Sequence, residues 1–131
     1  MSVDPRFPQA LLDDEALAGA RVLTSLAGRP DALVVLGSGL AGALDEAWDA
    51  PVASVPLGEV PGVVAPVADG HGSELRAYEA RKGVVLVATG RTHLYEGLGV
   101  RPVTALARAA AAAGIRRAVL TNANGCLRPW N

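Results

Sequence analysis

Gly90-Arg91-Thr92-His93-Leu94-Tyr95-Glu96-Gly97 sets a permanent cation, an imidazole, a phenol and a carboxylate between two glycines. Arg91 and His93 stand at alternate positions and can present several nitrogen donors to one anion, Arg91 with a two-pronged fork. Just before them, Gly83-Val84-Val85-Leu86-Val87-Ala88-Thr89 is an apolar, β-branched run that reads as a buried strand. Polar groups where a buried strand enters a loop sit where open α/β sheets bind ligands. Taken alone, the same residues also fit a solvated surface turn.

A second loop of this kind follows Ala32-Leu33-Val34-Val35-Leu36, a short apolar run bounded by Pro30-Asp31 and suited to a central parallel strand. The run enters Gly37-Ser38-Gly39-Leu40-Ala41-Gly42, and Ala43 to Ala50 then reads as helical. Glycines let a backbone approach an anion, amides at a helix start favour negative charge, and the Ser38 hydroxyl can donate to a phosphate oxygen. A dinucleotide pyrophosphate, a small phosphate and a purely structural turn all remain open for this loop. The dinucleotide needs an acidic residue about 20 positions on, at a second strand end. Only Asp45, Glu46, Asp49 and Glu59 are near, and Glu59 follows a Pro56-Leu57-Gly58 turn.

A third strand candidate, Ala118-Val119-Leu120-Thr121, reads as buried and runs into Asn122-Ala123-Asn124-Gly125, whose residues are also ordinary turn formers. Three polar loops thus end three apolar strands, and in a parallel sheet those ends lie along one edge. One shared anion pocket follows more readily than three coincidental turns.

The remaining elements would position these loops. Pro8 to Ala27 predicts a first helix, with Leu11, Leu12, Ala16, Leu17, Ala20, Leu23 and Leu26 at helical spacing and Gly28-Arg29-Pro30 as its stop. Pro51 to Pro66 predicts short irregular strands, including Val52-Ala53-Ser54-Val55, and no helix. Gly70-His71-Gly72-Ser73-Glu74-Leu75 is a glycine-flanked turn in which His71, judged alone, reads more readily as a surface residue than as a site residue. Leu75 to Ala80 predicts a strand, joined through Arg81-Lys82-Gly83 to the run from Val84 to Ala88. Pro102 stands near the start of a helix to about Ala113, rich in alanine and able to pack close to a sheet, with Gly114 as its cap.

A chain of 131 residues with half of them apolar can bury one sizeable core, so residues 1–131 read as a single domain. Only 4% are aromatic, which favours an alanine- and glycine-rich α/β protein over an aromatic-cored sandwich. Net charge is −1, with no basic groove for nucleic acid and no polybasic anchor. There is no signal-peptide h-region after Met1, no apolar run of about 18 residues, no metal-ligand cluster, and a single cysteine, Cys126. An intracellular, cytoplasmic protein without metal is the expectation.

Together these residues resemble the N-terminal half of the trimeric purine nucleoside phosphorylases. Val35-Leu36-Gly37-Ser38-Gly39-Leu40 is similar to the first phosphate loop of that family. Residues Gly90 to Gly97 resemble its Gly-Arg-x-His-x-Tyr-Glu-Gly signature, the most specific match, and Leu120 to Gly125 resembles its Thr-Asn-Ala-Ala-Gly-Gly turn. The resemblance implies an open, twisted, mostly parallel sheet flanked by helices, incomplete because the chain is about half the family length. It implies a pentosyltransferase of purine salvage that cleaves the N-glycosidic bond of purine (2′-deoxy)ribonucleosides with phosphate, giving free base and (deoxy)ribose 1-phosphate. Inorganic phosphate is the co-substrate; no cofactor is implied. Ser38, His71, Arg91, His93 and the amide of Ala123 would bind phosphate, with His93 the catalytic residue. Tyr95, Glu96, Ala123, Asn124 and Gly125 would face ribose or base, Tyr95 packing on the ribose and Glu96 orienting His93 or the ribose side. A homotrimer is implied for the full-length protein.

Three departures stand against the family pattern. Gly72-Ser73 replaces Ala-Gly after His71, Asn124 and Cys126 replace small residues, and the chain stops at Asn131, before the family's base-recognising glutamate and asparagine. A non-catalytic phosphate- or nucleotide-binding α/β module, and a nicotinamide-dependent domain resting on Gly37 to Gly42 alone, are the alternatives.

Overall fold

The computed structural model describes residues 13–37, 39–64, 73–93, 96–122, 125 and 127. The chain order is α1 (Asp14–Ala27), β1 (Ala32–Val35), α2 (Ala43–Ala47), β2 (Ala53–Pro56), a 3₁₀ turn (Leu57–Glu59), β3 (Glu74–Ala80), β4 (Gly83–Ala88), α3 (Val100–Ala112) and β5 (Arg117–Leu120). The strands form one open sheet in the order β2-β3-β4-β1-β5. β1 lies between β4 and β5 and is parallel to both, while β2, β3 and β4 pair antiparallel. The sheet is therefore mixed, and its parallel part is the three strands that end in polar loops.

Local chemistry sets the element ends. Asp13 caps α1 by accepting the Ala16 amide at 3.0 Å, so the helix begins at Asp14; residues 8–12 of the expected helix lie outside the described residues. α3 ends in paired backbone hydrogen bonds, Gly114 N to Ala111 O and Ile115 N to Ala110 O, both 3.0 Å. Gly114 takes φ 83° there, a conformation that only glycine adopts without strain, and Ile115 is buried behind it. α2 is shorter than expected, five residues ending at Ala47 rather than Ala50. Trp48 turns to extended backbone and sets its ring edge-on to Tyr78, with centroids 5.1 Å apart, and Pro51 disfavours helix at Ala50. The stretch from Pro51 to Pro66, expected to lack helix, contains the 3₁₀ turn, which buries Leu57.

α1 and α3 lie together on one face of the sheet. Leu33 and Val35 of β1, Leu86 and Ala88 of β4, and Leu75 and Ala77 of β3 point into a core with Leu23, Leu106, Ala109 and Ala110. Small residues let the helices touch: a Cβ added at Gly19 would meet Ala109 Cβ at 2.7 Å. The opposite face is covered more thinly, by Leu36 and Leu44 over Tyr78 and Val87. β5 corrects one expectation. All four of its residues are exposed: it is an edge strand, and none of its side chains joins a core cluster.

Charge fixes the helix pair. Arg108 is buried on α3 and donates to Glu15 Oε1 at 3.1 Å, to Asp13 Oδ1 at 3.5 Å and to the Arg101 carbonyl at 2.9 Å. Arg101 donates to Asp13 Oδ2 at 2.5 Å. The hydrogen bond from Arg101 and then the Ala16 amide hold the Asp13 carboxyl below the usual carboxylate range. Its folded value thus lies below its unfolded value, so its stabilisation is complete above about pH 4 and is lost as pH falls through the lower folded value. Asp13→Asn keeps a capping oxygen but removes the charge. The variant should unfold at lower denaturant than the parent at pH 7, and the gap should close below about pH 4. A gap that stays constant down to pH 2 in urea titrations would rule out this account.

Candidate active site

The parallel ladder places the three loops side by side. Val35, the last residue of β1, pairs with Ala88 of β4 on one side and Leu120 of β5 on the other. Beyond it the contacts continue: Leu36 N donates to Ala88 O at 2.9 Å and Thr121 N to Val35 O at 3.0 Å. The loops beginning at Gly37, Thr89 and Thr121 therefore leave one carboxyl edge of the sheet, as the sequence implied.

The first and third loops are in backbone contact. Gly37 N donates to Thr121 Oγ1 at 2.7 Å, and that hydroxyl donates to Val35 O at 3.1 Å. A Cβ on Gly37 would lie 2.8 Å from Thr121 O and 2.9 Å from Asn122 Cα, so only glycine fits. The Gly37 amide is consumed by this contact and cannot point at an anion. The helix after the loop is a single short turn, with Asp45 and Glu46 at its start, so its dipole offers little to a phosphate. Asp45 is drawn toward β3, where Arg76 reaches it at 3.1 Å while also holding Glu74 at 2.8 Å and the Tyr78 hydroxyl at 3.2 Å. Neither is this loop a dinucleotide fingerprint: the strand after α2 is β2, at the far edge of the sheet and antiparallel to β3, not a parallel neighbour of β1.

In the second loop, Thr92 is buried and its hydroxyl donates to the Val64 carbonyl, while Arg91 and His93 on either side are half-buried. Glu96 closes the turn. Its Oε2 accepts the His93 amide at 2.7 Å, and Glu96 N donates to His93 O at 3.1 Å. At the root of the loop, Thr89 Oγ1 accepts Glu74 N at 2.9 Å, and Thr89 N donates to Glu74 O at 2.9 Å. Val64 and Glu74 are thus each bonded to a threonine of the 89–92 segment.

Of the expected site residues, Arg91, His93 and Glu96 fall in this one loop, and Gly125 is exposed in the third loop. Ser38, His71, Tyr95, Ala123 and Asn124 lie outside the described residues. Sequence reasoning missed the threonines Thr89, Thr92 and Thr121. Their signal was present: Thr89 and Thr121 each directly follow a β-branched strand, where a hydroxyl can extend the ladder by bonding backbone. Among the described residues no group of three or more His, Cys, Asp or Glu could hold a metal ion.

The chain is an open α/β sheet in which adjacent parallel strands end together, at the edge where sheets of this class bind small ligands. No protein-family model matches the chain. Its sequence is nonetheless homologous to the purine nucleoside phosphorylases. It is 43% identical over 118 residues to the Mycobacterium tuberculosis purine nucleoside phosphorylase, covering 88% of this chain and 44% of that relative. To the Cellulomonas sp. purine nucleoside phosphorylase it is 45% identical over 102 residues, covering 74% of this chain and 36% of the relative. A solved purine nucleoside phosphorylase in complex with ribose-1-phosphate superposes with a TM-score of 0.74 at 25% identity, over 89% of this chain and 43% of that one. The chain spans about a third to a little under half of the length of the curated relatives it matches.

Replacing Thr92 by Val keeps its shape and deletes the hydroxyl, leaving the Val64 carbonyl without that donor. The expected cost is about 1–3 kcal/mol, read as a lower urea midpoint at unchanged slope. A midpoint within error of the parent would mean the hydroxyl does not anchor the loop.

Proposed function

We propose that this chain supplies the phosphate and ribose side of a purine nucleoside phosphorylase site. The observation that carries the reading is the parallel triad β4-β1-β5, which sets the Gly37, Arg91/His93 and Asn122 loops on one edge. The homology to purine nucleoside phosphorylases supports it. In this reading Arg91, His93, Ser38, His71 and the amide of Ala123 hold inorganic phosphate. Glu96, already bonded to the His93 amide, keeps His93 in place. Tyr95, Ala123, Asn124 and Gly125 line the ribose and base side.

The chemistry suits such a site. A phosphate oxygen bonds to C1′ as the N-glycosidic bond breaks; the bonding pair leaves with the purine nitrogen, which takes up a proton. The products are (deoxy)ribose 1-phosphate and free base. The sugar passes through an oxocarbenium-like state, and an anion held beneath it by fixed cations stabilises that charge. Positioning and electrostatics supply the acceleration, with no cofactor. Turnover needs polypeptide equivalent to the part of the relatives that this chain does not match, and the complete protein is a cytoplasmic homotrimer.

Phosphate binding by calorimetry and base release from inosine and guanosine test this together. The 131-residue chain should bind phosphate yet release no base. Base should appear when the unmatched portion of the M. tuberculosis relative is added as a second polypeptide. Release by the chain alone would contradict the division of labour; phosphate bound with no release in either case would favour a binding module. Arg91→Ala should weaken phosphate about ten- to hundredfold, since charge-assisted hydrogen bonds contribute about 1.5–3 kcal/mol. Unchanged affinity would remove Arg91 from the site.

A further inference from the structure

We infer that Thr121 is a positioning residue that sets the first phosphate loop against the third. The inference rests on the phosphate reading above. Three geometric facts carry it. The Thr121 hydroxyl accepts Gly37 N at 2.7 Å and donates to Val35 O at 3.1 Å, and Thr121 N donates to the same carbonyl at 3.0 Å. The hydroxyl thereby adds one further link between β1 and β5 beyond the last paired residues, Val35 and Leu120. The two backbones are already at contact distance, since a Cβ on Gly37 would strike Thr121 O at 2.8 Å.

The link has a direction. Ser38 follows Gly37 in the chain, and Ala123 stands two residues after Thr121. Fixing the Gly37 amide on the Thr121 hydroxyl fixes where both segments leave the sheet. Gly37 N is taken by the Thr121 hydroxyl, so any anion must be met by groups beyond it. A loop whose first amide were free could rotate its peptide toward the ligand and lose the spacing to the third loop. Thr121 touches no reacting atom in this scheme and acts only through Gly37 and its own chain neighbours.

The test compares the parent chain with Thr121→Val, which keeps the branched shape without the hydroxyl, and Thr121→Ser, which keeps the hydroxyl. Gly37 amide hydrogen exchange by NMR reads the link, and calorimetry reads affinity for inorganic phosphate. Thr121→Val should exchange Gly37 at least about tenfold faster and bind phosphate about tenfold more weakly, while Thr121→Ser stays within about twofold of the parent in both. Unchanged exchange or unchanged affinity in Thr121→Val overturns the inference. So does a Thr121→Val chain that fails to fold, or equal loss in both variants, because either assigns the residue to stability alone. If the parent binds no phosphate, and Arg91→Ala consequently changes nothing, the phosphate reading has failed and the inference falls with it; accelerated Gly37 exchange in Thr121→Val would still be seen, which separates that failure from an absent link.

Discussion

Everything at the candidate site depends on β1 being paired in parallel on both sides. A strand between two parallel neighbours sends three chain exits, adjacent in the sheet, to one edge. The antiparallel hairpin of β3 and β4 then has a different task. It returns the chain so that β4 can run alongside β1, and it brings Glu74 opposite Thr89, at the root of the Arg91/His93 loop. Had β4 joined in the other sense, the residues with the most chemical capacity would have left the opposite edge.

The helix layer serves this arrangement by holding one face of the parallel strands. α1 and α3 approach closely because Gly19 faces Ala109, and they are fastened by Arg108 with Asp13 and Glu15. A buried arginine is costly unless its donors are met, and here carboxylates, a carbonyl and the Thr104 hydroxyl meet them. These contacts sit at the start of α1 and beside the first turns of α3, so they also fix the direction in which α3 departs after the loop that ends at Gly99.

Apolar runs made the strands readable, because β-branched residues bounded by glycine and proline leave few other readings. Helix ends were readable where a cap had its own signature, as at Gly28 and Gly114. Two features were not. The exposure of β5 is a property of what lies beside a strand, and Arg117-Ala118-Val119-Leu120 is as apolar as many buried strands. The early end of α2 comes from Trp48 reaching a partner thirty residues on, Tyr78, which no local pattern encodes. The threonine contacts fall between these cases. Their positions were visible, but which carbonyl or amide each would meet depends on sheet order.

Sheet order also reassigns the electrostatic work at the site. Read along the sequence, the glycine loop and the helix after it looked like an anion cradle of backbone amides. In the fold, the Gly37 amide is spent on Thr121, and the helix is too short to carry a useful dipole and begins with two carboxylates. Asp45 is partly neutralised by Arg76, which the Glu74 carboxylate and then the Tyr78 hydroxyl hold firmly protonated. With a net charge of −1 there is no broad positive field to compensate. In the proposed site, attraction for a phosphate would then come from a few fixed donors close to it. Among the described residues at this edge, the loop that carries the cation Arg91 and the imidazole of His93 is held through Thr92 and Glu96. In the proposed phosphate site, the glycine loop would supply shape, through its contact with Thr121, and the Arg91 side chain would supply charge.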